Sequence, residues 1–158
     1  MKDIKPIRVY PIVFSIGPTE MRPAMIFSDD KGDKQLPVWF DPVEARNVIV
    51  QQNSLKEGVV SRAVHGLLKA LAVDITSVYF NEIEGKQQFA SVLVKRGGAT
   101  SESIRMPASE AAALTLTFPV EYYTNGDIIE NSRSLYFEWL LTSWKVDKGV
   151  AQKNEGMH

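Results

Sequence analysis

Three carboxylates, Asp41, Glu44 and Glu110, sit where strand-like runs give way to helix-like ones, and carboxylates brought together can hold a hard cation. His65 is one of only two histidines, and it can serve as a general acid or base or, when neutral, as a ligand. Arg62, His65 and Lys69 fall along one side of a helix-periodic segment, a basic stripe able to hold phosphate. Trp39 offers an aromatic face for stacking a base. Each has a plainer reading. Asp41 and Glu44 suit a helix cap, Glu110 suits the first turn of a helix, and His65 suits the border of an apolar face. A charged stripe is commonly just solvated, and a tryptophan in so apolar a segment suits core or interface burial.

These residues are positioned by Leu36 to Ala45, a strand running directly into a helix. Leu36, Val38 and Phe40 alternate with Pro37 and Trp39, so both faces are apolar, as in a strand buried on both sides. Asp41 suits the N-cap, Pro42 the first helical position, and Glu44 lies where it can reach back to the cap backbone. This spacing predicts a capping box. The junction Pro107 to Ala111 is a weak echo of it.

Upstream, Ile7 to Ile16 reads as a strand whose inward parity changes at Pro11, which predicts a bulge or bend there. Ala24 to Ser28 and the run beginning at Leu36 form a hairpin around Asp29 to Asp33. After the cap, Ala45, Val48, Ile49 and Gln52 share one helical stripe, and Asn53 through Gly58 breaks the pattern. A second helix is expected from an N-cap at Ser61, with Val64, Leu67, Leu68, Leu71 and Ala72 on one face. Strands follow at Val73 to Asn81, Phe89 to Arg96 and Ala99 to Ile104, the last two joined by a two-residue Gly97-Gly98 turn. Pro107 to Phe118 is the third helix with Ser109 as cap, and Val120 to Thr124 a strand ended by an Asn125-Gly126 turn. Ser132 or Ser134 is the expected cap of a last, very apolar helix containing Trp139, Leu140 and Trp144. Lys145 to His158 is polar and reads as a loose tail.

A chain of 158 residues with 44% apolar content suits one domain with an appendage: residues 4–130, then 131–158 as apolar helix and tail. The net charge of -1 gives no global footprint for nucleic acid, so a phosphate backbone would need a local patch. The absence of cysteine removes disulfides, Cys-ligated zinc and thiol catalysis. No run approaches the ~18 apolar residues of a membrane span, and no signal-peptide core is visible, so the reading is a cytoplasmic protein without membrane partners.

The three motifs resemble those of the bifunctional nuclease (BFN) family. Leu36, Pro37, Val38, Trp39, Phe40, Glu44 and Ala45 match its Leu-Pro-Ile-Trp-Ile-Gly-x-x-Glu-Ala, with Asp41 in the glycine place. His65 and Leu67 match the second motif, where Val64 and Gly66 replace threonine and aspartate and Arg62 stands for proline. Ser109, Ala111, Ala113 and Leu114 match the third. There Glu110 replaces aspartate, and Arg105 and Pro107 stand where the family has aspartate and arginine.

The resemblance implies an α+β domain: a bent, mainly antiparallel sheet packed on three helices, plus a C-terminal helix. It also implies magnesium-assisted cleavage of RNA or DNA, with Glu44, Glu110 and His65 catalytic. Asp41, Glu44 and Glu110 would be the metal ligands, and Arg62, Lys69 and Trp39 would hold substrate. On this reading the helix starts at Glu44 and Glu110 converge with His65 at one rim of the sheet. The alternative is a non-catalytic, self-associating binding or regulatory module on the same scaffold, which the two missing acidic positions favour. The apolar last helix predicts at least a dimer.

Overall fold

Pro11 bends the first strand, and that bend decides how the sheet is built. β1 (Ile7–Ser15) pairs antiparallel through Ile7–Val9 with the last strand and through Tyr10–Ser15 with the second, its register shifting between Pro11 and Val13. Proline cannot donate to a ladder, and the register shifts just past it. The computed structural model describes residues 5–15, 22–53, 59–98, 100–116 and 118–135.

β2 (Ala24–Ser28) and β3 (Gln35–Trp39) form the expected hairpin, in which Pro37 sits on an edge strand. α1 (Pro42–Asn53) and α2 (Val59–Ala70) follow, then β4 (Val73–Glu84), β5 (Gln87–Arg96) and β6 (Glu102–Pro107). α3 (Ala108–Thr115), β7 (Glu121–Thr124) and α4, residues 126–135, complete the order. The sheet runs β3-β2-β1-β7-β4-β5-β6, and only β4 and β7 pair in parallel. It is a mixed α+β fold with a curled seven-stranded sheet and four helices among the described residues.

The curl brings the two ends of the sheet together. Gln88 of β5 donates from Nε2 to the Pro37 carbonyl at 2.8 Å, and its Oε1 accepts the Trp39 N–H at 2.9 Å. One buried side chain thus satisfies backbone groups on the free edge of β3, groups that would otherwise be costly to bury. α3 packs on β3 and β5 beside this seam, and its Ala108, Ala111 and Ala112 are buried, small enough for close approach. Inside the curl, the Phe27 ring lies 4.9 Å from Phe80 and 5.0 Å from Tyr122, all three buried. Leu36, Val38 and Phe40, all of one strand parity, are fully buried with them, and on the opposite face Pro37 is buried while Trp39 is only partly so.

Four local expectations are corrected. α2 starts at Val59, two residues before Ser61, and Ala72 lies beyond its end in a left-handed conformation with φ 54°. Gly97 donates its N–H to the Ala72 carbonyl at 3.0 Å instead of closing a two-residue hairpin, and the β5–β6 ladder begins at Val94 opposite Glu102. α3 starts at Ala108 with Pro107 as N-cap, so Ser109 lies inside the first turn. Asn125 does not simply turn the chain: its Oδ1 accepts the Ile128 N–H at 3.0 Å and caps α4, which puts Ser132 inside that helix.

Ile128 and Ile129 of α4 join the core. No helix among the described residues is long and apolar enough to cross a membrane. The segment containing Trp139 and Trp144 and the tail lie outside the described residues.

Candidate functional site

At the β3–α1 junction the capping box is complete. The Glu44 N–H donates to Asp41 Oδ1 at 2.8 Å, and the Asp41 N–H donates to Glu44 Oε1 at 3.2 Å. Hydrogen bonding by the Glu44 N–H, with a smaller effect from the nearby Arg22 charge, holds the Asp41 carboxyl below its ordinary range. Ser109, in the first turn of α3, donates from Oγ to Glu44 Oε2 at 2.6 Å. Each oxygen of Glu44 therefore has one fixed donor. A carboxylate offers about four lone-pair sites, so Glu44 keeps acceptor capacity for another ligand.

This carboxylate opens on a cleft of about 470 Å³ lined by Arg22, Trp39, Asp41, Glu44, Lys86 and Ser109, with Glu84, Gln87 and Gln88 alongside. Arg22 donates from Nε to the Phe40 carbonyl at 3.3 Å. Burial pushes its pKa down, while Glu44 and Asp41 push it up. A guanidinium stays protonated under either influence. Cations and carboxylates thus share one cleft, the mixture needed to take a phosphate group and a cation together. Glu84 is already committed to Arg105, whose Nη2 approaches it at 2.6 Å while the same guanidinium also pairs with Glu82.

Trp39 forms part of the cleft and is anchored twice. Its backbone N–H goes to Gln88, and its indole Nε1–H donates to the Ser132 carbonyl at 2.9 Å. Gln88 Nε2 also donates to Ser132 Oγ at 2.8 Å, which closes a three-residue ring of hydrogen bonds from β3 to β5 to α4.

The expected site residues divide. Trp39, Asp41 and Glu44 share the cleft. Glu110 is exposed and does not line it, because α3 begins at Ala108 and successive helical residues point about 100° apart, so inward-turned Ser109 carries its neighbour outward. His65 and Lys69 line a second cavity of about 340 Å³ with Asp74 and Phe118. There the His65 ring stacks on Phe118 with centroids 3.9 Å apart.

The structure does not bring His65 to Glu44, because α2 packs against β4 whereas α1 and α3 start near β3. The Arg62 side chain lies outside the described ones. Among the described residues, no three His, Asp or Glu side chains form a group able to hold a metal ion, so the Asp41, Glu44 and Glu110 cluster is not formed.

Sequence reasoning missed Arg22, Lys86 and Gln88, and it read Ser109 only as a cap. Gln88 left a signal: it shares strand parity with Ala90 and Val92, both buried, so an inward polar side chain was visible in the alternation. Arg22 stands just before Pro23 and β2 and has no periodicity to place it.

A family model described as the bifunctional nuclease domain matches residues 25–135, from β2 to the end of the described part of α4. That span contains both strand-to-helix junctions and every cleft residue named above except Arg22. Comparison with curated proteins gives no match.

Proposed function

The chain belongs to the bifunctional nuclease family, and from that premise we propose that the Glu44 cleft binds and cleaves the phosphodiester backbone of RNA or DNA with the help of a divalent cation. The observation that carries this reading is the Glu44 carboxylate, oriented by the Asp41 N–H and the Ser109 hydroxyl within a cleft that also holds Arg22 and Lys86.

Mg²⁺ keeps several waters and binds through one or two carboxylates plus substrate phosphate, a demand that Asp41 and Glu44 can meet as a pair. When bound, such a cation polarises a phosphoryl oxygen and acidifies its water. The chain's own residues do the rest. Arg22 and Lys86 neutralise phosphate oxygens. Glu44 is held at a fixed angle by Ser109, and its remaining lone pairs can accept a proton from an attacking water.

The test is cleavage of single-stranded and duplex RNA and DNA with and without Mg²⁺, comparing the wild type with Glu44→Gln and Arg22→Gln. Expected is Mg²⁺-dependent cleavage that both substitutions lower, Glu44→Gln by at least about 100-fold, the scale of a lost proton-transfer group. No cleavage of any of the four substrates overturns the reading.

A second reading, a self-associating module without catalysis, is favoured by Leu67 of α2 and Leu71 just past its end, which remain 63% and 61% exposed. A second copy of the chain would cover that face. Light scattering at micromolar concentration tests it, and a monomer overturns it.

A further inference from the structure

We infer that Arg105 is a positioning residue of the Glu44 cleft: it pairs the Glu84 carboxylate at the cleft wall and so lets Lys86 take the phosphate of a polyanionic strand. The inference rests on the reading of the cleft as a phosphodiester site.

The charges that line the cleft do not by themselves suit a polyanion. Arg22 and Lys86 face Asp41, Glu44 and Glu84, two cations against three carboxylates. Asp41 and Glu44 are held by the capping box and by Ser109, and in the proposed reaction a divalent cation joins them. Glu84 has no part in that arrangement. It ends β4 and is separated from Lys86 by Gly85 alone, whose φ of 61° makes the tight turn into Gln87. The Cα atoms of Glu84 and Lys86 are at most about 7.6 Å apart across two peptide links, inside the Debye length of about 10 Å at 0.1 M salt. An unpaired Glu84 would therefore oppose whatever phosphate Lys86 attracts.

Arg105 removes that opposition. It stands on β6, the edge strand beyond β5, and its Nη2 donates to Glu84 Oε2 at 2.6 Å. The guanidinium is itself fixed. Nε and Nη2 donate to Glu82 Oε2 and Oε1 at 2.7 and 3.0 Å, and its centre lies 3.8 Å from the centroid of the Phe89 ring. A planar fork held by a carboxylate and over a ring keeps one orientation. All three charged side chains are well exposed, Glu84 at 70%, so the cluster adds little to stability. What it changes is the field at the cleft wall. Arg105 and Glu82 do not line the cleft, so Arg105 acts through Glu84 and not on the strand itself.

The test is binding of a fluorescein-labelled oligothymidylate of about 12 nucleotides, read by anisotropy with Ca²⁺ in place of Mg²⁺ to separate binding from cleavage. Arg105→Gln should weaken binding by about 5-fold, the scale of one exposed charge pair, and the loss should shrink as salt rises. Glu84→Gln added to Arg105→Gln should restore most of the affinity and should gain less in the wild-type background. Glu82→Gln added to Arg105→Gln should restore little, because Glu82 lies off the cleft. Arg105→Lys, which keeps the charge and guards against a folding defect, should retain most of the binding. A role confined to holding the hairpin in shape would give no such rescue by Glu84→Gln.

Unchanged binding in Arg105→Gln, a loss that Glu84→Gln does not restore, or equal rescue by Glu82→Gln overturns the inference and leaves the phosphodiester reading standing. No binding by the wild type overturns both. The expected pattern in a chain that cleaves nothing supports the inference and removes only the catalytic step.

Discussion

Ser109 Oγ lies 2.6 Å from Glu44 Oε2, a bond that ties the first turn of α3 to the first turn of α1 across 65 residues of sequence. It is the contact by which two strand-to-helix junctions of similar sequence become one site. A hydroxyl donating to a carboxylate is a charge-assisted bond, short and stronger than a neutral one.

Ser109→Ala is therefore expected to cost about 1–2 kcal/mol in urea unfolding, toward the low end for a charged partner because Glu44 remains reachable by water. Combined with Glu44→Gln, the double substitution should cost less than the sum of the singles, since each removes part of one interaction. Strict additivity of the three unfolding free energies would show that the bond contributes nothing.

Asp41 gives the site an acid limit. Its carboxyl is held below the ordinary value, first by the Glu44 N–H, so the folded state favours the ionised form. The stabilisation is present above the unfolded value near 3.8 and is lost as pH falls through the lower folded value. Glu82 and Glu121 shift the same way, held by hydrogen bonds from Arg105 and Tyr123, so the acid limb is shared. Asp41→Asn keeps a good capping residue but removes the titration. The expected result is a shallower fall in melting temperature below pH 4; an acid limb identical to wild type would sink this assignment.

What was legible in the sequence was local. Asp41 and Glu44 stand three residues apart, Pro11 marks its own bend, and LPVWF carries its burial in its alternation; each of these is decided by chain neighbours. The partner of Glu44 was not legible, because a one-residue difference in where α3 starts exchanges the roles of Ser109 and Glu110. Helix starts are set by backbone geometry after Pro107, which carries the cap position without a side-chain bond. Gln88 reaches Pro37 and Trp39 across 51 and 49 residues, a pairing fixed by how far the sheet curls. No spacing rule encodes that. Likewise His65 was placed correctly on its helix and wrongly beside Glu44, since the packing of α2 on β4 is a property of the whole topology.

Ala72 holds a left-handed conformation, φ 54°, just past α2, and its carbonyl accepts the Gly97 N–H. An L-residue with a Cβ is disfavoured there by roughly 1–2 kcal/mol, whereas glycine is not. Part of that gain is returned through the larger freedom of glycine in the unfolded chain. Ala72→Gly should raise stability by about 0.5–1 kcal/mol, measured by the urea midpoint. A loss of stability would mean that the turn is not left-handed in solution.

Gln88 supports the seam of the curled sheet, and its replacement gives the sharpest stability prediction. Methionine has nearly the same length and volume but neither donates nor accepts strongly, so Gln88→Met changes hydrogen bonding and little else. It leaves the Trp39 N–H, the Pro37 carbonyl and the Ser132 hydroxyl without the partner they now share, and Gln88 and Ser132 are buried where water does not easily substitute. Each buried group left unsatisfied costs about 1–3 kcal/mol, and some relaxation at the edge strand lowers the total, so about 2–4 kcal/mol is expected. Hydrogen exchange separates this from a general loss of packing. The Trp39 amide should lose protection far more than the Phe80 and Val92 amides of the central ladder, because only the seam has been opened. Uniform loss across all three would mean that Gln88 supports the core as a whole and that the sheet is not closed by this side chain.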